Sequence, residues 1–159
     1  MEFFETNRTQ FEILAYVALA MLLGAAIGFE RELEDKPAWL RTHMLVCGAA
    51  ALFMAVGAVI VKRFSHDLGD SLVRSDPVRI IEAIVTGVSF LGAGTILRDR
   101  SQRRIEGLTT AASLLFAAAV GVSVALEQFV LAVGATLLVL ITLRGLGILE
   151  QGLGAKKLW

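Results

Sequence analysis

Glu30, Arg31 and Glu32 stand in a row, and Arg41, Thr42 and His43 follow shortly after. Carboxylates, guanidinium groups, a hydroxyl and an imidazole this close together can form an ion-pair network or hold a small ion. A second polar cluster carries Arg98, Asp99, Arg100, Arg103, Arg104 and Glu106, with Thr109 and Thr110 just beyond it. A third holds Asp67, Asp70 and Asp76, whose carboxylates suit a divalent cation. Magnesium is seldom held by an all-protein cage, and Asp76 before Pro77 has a sufficient role as a helix N-cap. Magnesium is therefore a candidate ligand only, and no metal-ligand set or cofactor is assigned. Arg79 and Glu82 stand beyond that start, three residues apart, and can pair with each other.

Catalytic patterns are missing. The chain shows no Ser/His/Asp, Cys/His or H-E-x-x-H grouping at useful spacing, and no phosphate loop. Gly92-x-Gly94 lacks the third glycine of a dinucleotide loop. Cys47 is the only cysteine, so neither a disulfide within the chain nor a cysteine metal site can form. His43 and His66 fall on opposite sides of the next apolar run, and His43 is expected at the interfacial start of a helix. No enzyme is expected.

The polar clusters are separated by apolar runs. Of the 159 residues, 56% are hydrophobic and mean hydropathy is +0.71. Soluble domains are nearer about 45–50% apolar. The excess sits in runs near the roughly 20 residues that cross a bilayer core. The expected fold is all-α: one polytopic membrane domain over 1–159, with spans near 11–29, 43–61, 78–97, 108–126 and 129–149. Residues 1–10 read as a mobile or interfacial lead-in, without the basic n-region of a signal peptide. Fifteen basic and fifteen acidic residues balance, which excludes a strongly basic nucleic-acid binder.

Small residues mark where helices approach. Gly24 and Gly28 form a G-x-x-x-G that serves either packing within the chain or a homodimer seam. Ser113, Ala117, Gly121 and Ala125 form a second stripe. Gly92 and Gly94 imply either tight packing or a local break in span three. Thr109 or Thr110 is expected to cap span four, and Glu127-Gln128 to join spans four and five as an antiparallel pair.

Lysines and arginines are about twice as frequent on the side of Glu30–Arg41, Arg98–Glu106 and the C-terminus as on the other. The positive-inside rule puts that side in the cytoplasm and the N-terminus outside. Asp76, Arg79 and Glu82 then belong to the outer face. Glu30, Arg31, Arg41, Thr42, Arg98, Glu106, Thr109 and Thr110 form a cytoplasmic rim, with Glu30 and Arg41 its expected fixed members. A pore would have to use Glu82, Ser89, Thr95, Ser113 or Thr136, which is little.

Five motifs occur in order: Gly28-Phe-Glu-Arg-Glu, Leu40-Arg-Thr-His-Met-Leu-Val46, Asp76-Pro-Val-Arg79, Phe90-Leu-Gly-Ala-Gly-Thr-Ile96 and Gly107-Leu-Thr-Thr-Ala-Ala112. Together they resemble the membrane domain of the MgtC/SapB family of bacterial inner-membrane proteins, over about residues 14–145. Ala38-Trp39 stands where that family has Ala-Gly, Ser89 where it has glycine, and Glu82 where a small or neutral residue is expected. The chain ends at Trp159 and so resembles a short form, without the C-terminal regulatory domain of some members. The resemblance implies a regulatory inner-membrane protein of magnesium homeostasis and stress or virulence adaptation. It also implies a membrane partner such as the ATP synthase, while the apolar runs and glycine-rich faces lead to the expectation of contacts with the bilayer and with a second copy as a dimer. The alternative is a small transporter or channel for magnesium or another small ion.

Overall fold

The computed structural model describes residues 2–33, 39–68, 77–99 and 104–152. Within them the chain forms five helices: α1 (Glu2–Glu32), α2 (Trp39–Leu68), α3 (Pro77–Thr95), α4 (Leu108–Ala125) and α5 (Phe129–Gly152). A short antiparallel hairpin, β1 (Leu97–Asp99) and β2 (Arg104–Glu106), joins α3 to α4. The first four helices are long and apolar enough to cross a membrane, and α5 is apolar over Phe129–Gly145. Helices suit such a setting because each backbone N–H and C=O is bonded within its own segment. Asp76, Asp70 and the tail Lys156–Trp159 lie outside the described residues.

Each expected span overlaps one helix, but several helices run beyond the expected ends. Residues 2–10 are helix rather than a lead-in, and 62–68 continue α2 instead of opening a loop. Neither stretch contains Gly or Pro, so nothing stops the adjoining helix. α3 runs unbroken through Gly92 and Gly94. The third loop is shortened by the hairpin, which pairs Leu97 with Glu106 and Arg98 with Ile105.

α4 starts after Gly107, which has φ 88° and no side-chain cap. A Cβ there would collide with the Thr95 carbonyl, so glycine supplies both the left-handed turn and the room. Thr109 and Thr110 are therefore inside the first turn rather than capping it. At the other end, Leu126 to Gln128 turn the chain directly into α5. Glu127 adopts φ 60°, and its carboxylate accepts a hydrogen bond from the Tyr16 hydroxyl at 3.2 Å. The Tyr16 ring lies 5.8 Å from that of Phe129, so α1 is fastened to this turn.

α4 is central. One cluster joins it to α1, α2 and α5 through Ala20, Ile27, Cys47, Ala117, Val120 and Ala132. The other joins it to α2 and α3 through Val46, Met54, Ile84, Val88 and Leu114. Many of these side chains are small, so the helices meet nearly backbone to backbone. A Cβ on Gly24 would stand 2.6 Å from the His43 carbonyl oxygen, and one on Gly28 would stand 2.8 Å from the Trp39 carbonyl oxygen. One on Gly121 would meet the Cys47 carbonyl. The G-x-x-x-G of α1 is thus used inside the chain, against α2, and is not free to seam a dimer. Gly92 makes ordinary contact with Ala111, whereas Gly94 faces open space. Among the described residues the α3 face that carries Gly94 has no neighbour, so Gly94 serves no close approach there.

Gly121→Ala should destabilise the protein by about 1–3 kcal/mol, since the methyl meets backbone that cannot yield. Gly134→Ala, with open space around it, should be neutral or stabilising by up to about 1 kcal/mol. Unfolding free energies measured in bicelles check the pair.

Candidate functional site

The polar residues gather where α1 ends, α2 begins and α4 begins. Glu30 is 6% exposed and Arg31 7%, and the Arg31 Nε donates to Glu30 Oε2 at 3.0 Å. A buried carboxylate and guanidinium are tolerated because each neutralises the other. Asp35, one helical turn beyond Arg31 in sequence, lies outside the described residues.

His43 is fully buried, in the second turn of α2. Its Nδ1 lies 2.8 Å from the Trp39 carbonyl and its Nε2 lies 2.9 Å from the Ser113 hydroxyl of α4. A carbonyl only accepts, so the Nδ1 carries a proton. In the neutral ring Nε2 is an acceptor, and the single Ser113 proton serves either it or the Thr110 carbonyl, which lies 2.9 Å from the same hydroxyl. His43 also faces the Trp39 ring, with centroids 6.1 Å apart. It is therefore an interhelical tie rather than the interfacial helix-start residue expected.

The expected rim divides. Glu30, Arg31 and Thr110 are buried, Thr42 is half-buried, and Arg41 and Thr109 are exposed. Arg41 is therefore no fixed member, because its position on α2 points away from α1 and α4. Arg98 and Glu106 are placed by their backbones on opposite strands of the hairpin. On α3, Arg79 and Glu82 are both exposed. Among the described residues they do not pair, and no group of three or more His, Cys, Asp or Glu could hold a metal ion.

The His43–Ser113 tie is not legible in local motifs, because seventy positions separate its members. A signal was available: His43, Cys47, Ala50 and Met54 recur at helical spacing on a face of α2 that is otherwise apolar. A polar residue on such a face needs a polar partner on the helix opposite, and Ser113 leads the small-residue stripe of α4.

Serine beside histidine is the pairing that activates a nucleophile elsewhere. Here both side chains are buried, and the Ser113 hydroxyl is held by its own helix. The arrangement joins α2 to α4 and fixes the end of the bundle at which Glu30 and Arg31 lie.

Long apolar helices packed through glycine and alanine, with most of the buried polar groups gathered at one end, define a multi-pass helical membrane protein. A family model described as the MgtC family matches residues 17–151, and the chain belongs to that family. "Putative magnesium transporter YhiD" of Escherichia coli K12 is 39% identical over 132 residues, covering 83% of this chain and 59% of that protein. Protein MgtC of Salmonella typhimurium LT2 is 38% identical over 136 residues, covering 86% of this chain and 53% of its own length. An uncharacterised protein of Haemophilus influenzae is 33% identical over 132 residues, covering 83% of this chain and 54% of its own length. The chain thus spans a little over half the length of these curated relatives. No solved structure matches it.

Arg31→Ala should destabilise the protein by about 3 kcal/mol, because it leaves the Glu30 carboxylate buried without its cation. Arg41→Ala, at an exposed position, should stay within about 0.5 kcal/mol. Thermal unfolding in detergent, monitored by circular dichroism, separates the two.

Proposed function

We propose that this chain is a regulatory protein of the bacterial inner membrane, tied to magnesium homeostasis, that acts by helix contacts with membrane partners. The observation that carries this reading is how the buried polar groups are used. Ser113 lies within hydrogen-bond distance of both His43 and the Thr110 carbonyl, Glu30 bonds to Arg31, and Thr136 bonds to the Ala132 carbonyl. Magnesium sheds its waters reluctantly and needs width to pass. Gly24, Gly28 and Gly121 remove that width by bringing backbones together at the centre of the bundle. In this reading Glu30–Arg31 and the ends of α1, α2 and α4 face the cytoplasm, as the lysine and arginine distribution favours. Enzymatic chemistry has no place in it, and stress or virulence adaptation would follow from control of the partner.

Transport of magnesium or another small ion is the second reading. It is favoured by the name of the Escherichia coli relative, and by Glu82, Thr86 and Ser89, which share an exposed side of α3.

Reconstituted protein in liposomes holding a magnesium-sensitive dye tests the two. The regulatory reading expects magnesium entry no faster than in protein-free liposomes. Saturable entry that Glu82→Gln abolishes would overturn it in favour of transport.

A further inference from the structure

The His43 ring is enclosed by α1, α2 and α4, and it is fully buried. Imidazole is the side chain that gains and loses a proton between about pH 5 and 8. Its Nδ1 already carries one, held by the Trp39 carbonyl at 2.8 Å. A second proton can enter only at Nε2, which lies 2.9 Å from the Ser113 hydroxyl. The ring sits in the second turn of α2, and Trp39 and Thr42 are half-buried, so the way to water is short.

The surroundings suit a neutral ring. α4 carries no acidic or basic residue between Leu108 and Ala125. From α1 the Arg31 guanidinium acts on the ring by its charge and repels an imidazolium. The Glu30 carboxylate is already engaged by Arg31 at 3.0 Å, and Glu32 is exposed. On α2 itself the nearby charge is Arg41, an exposed cation. Arg79 and Glu82 stand at the start of α3, the end of the bundle away from the ring. Among the described residues, then, the one acid buried with His43 belongs to Arg31. A proton at Nε2 would still find the Ser113 oxygen, because the Ser113 proton can turn to the Thr110 carbonyl. It would also leave an unneutralised charge inside the bundle, and one hydrogen bond does not offset that.

We propose that His43 is an acid-operated latch: a proton taken from water at Nε2 parts the first turns of α2 from α1 and α4. The closed form holds the neutral ring, and the open form holds the imidazolium in water. Across the range in which histidine titrates, the open form binds one more proton than the closed form. Acid therefore favours opening, and a return to alkaline pH releases the proton and favours closing. Cys47 lies one turn further along α2, fully buried against Gly24 of α1 and Gly121 of α4. Its thiol is reached only when α2 parts from them. The latch is independent of whether the protein regulates a partner or carries an ion.

Maleimide labelling of Cys47, the one thiol of the chain, tests it in nanodiscs, where both faces share one pH. Each rate is divided by that of the denatured chain at the same pH, which removes the pH dependence of the thiol reaction itself. The ratio should rise toward acid between about pH 8 and 5, by up to about tenfold per pH unit. His43→Gln, which can hydrogen-bond but takes up no proton, should remove the rise. His66→Gln, which changes the other histidine of the chain, should leave it intact. A flat ratio in the unmodified chain, a rise that survives His43→Gln, or one that His66→Gln abolishes would overturn the proposal.

Discussion

His43 is the residue through which three helices meet. Its carbonyl is what a side chain at Gly24 of α1 would strike, its Cβ faces Gly28, and its Nε2 reaches Ser113 of α4. Three approaches therefore have to be satisfied at once. The glycines of α1 let the α2 backbone come close, and that closeness buries the imidazole. The buried imidazole then needs a polar partner, which α4 supplies. Cys47, one turn further along α2, repeats the pattern with Gly24 and Gly121.

Lipid tails are as apolar as leucine, so burial of apolar surface alone gives little reason for these helices to associate. Close backbone contact and a few hydrogen bonds must hold them. That explains why the core is rich in alanine and glycine, while larger side chains such as Phe11, Phe53, Phe116 and Leu138 point outward. It also explains the uneven placement of polar groups. Glu30, Arg31, His43, Thr110 and Ser113 are buried at one end of α1, α2 and α4, where each finds a partner or neighbour. Those of α3 remain on its outer side.

Hydrophobic run length made the five helices legible, because crossing a bilayer needs length and apolarity whatever the packing. Their ends were less legible. Residues 2–10 and 62–68 are polar enough to read as loop, yet without Gly or Pro the helices simply continue. Glu30 could be read as a residue with a task, since an acid at a basic membrane edge needs an explanation. Arg41 could not be told from Arg31, because only the rotation of each helix decides which arginine turns inward. The His43–Ser113 tie depends on which helices are neighbours, and local spacing does not carry that information. Gly94 looked like Gly92 for the same reason: a glycine marks a possible close approach, and the neighbouring helix decides whether one occurs.

The central claim is that His43 and Ser113 act together to hold α2 on α4. A double-mutant cycle with His43→Ala and Ser113→Ala tests it directly, with unfolding free energies taken by steric trapping in bicelles. The account predicts a coupling of about 0.6–1.7 kcal/mol, the range of hydrogen bonds between membrane helices. Effects that add to within about 0.3 kcal/mol would contradict it.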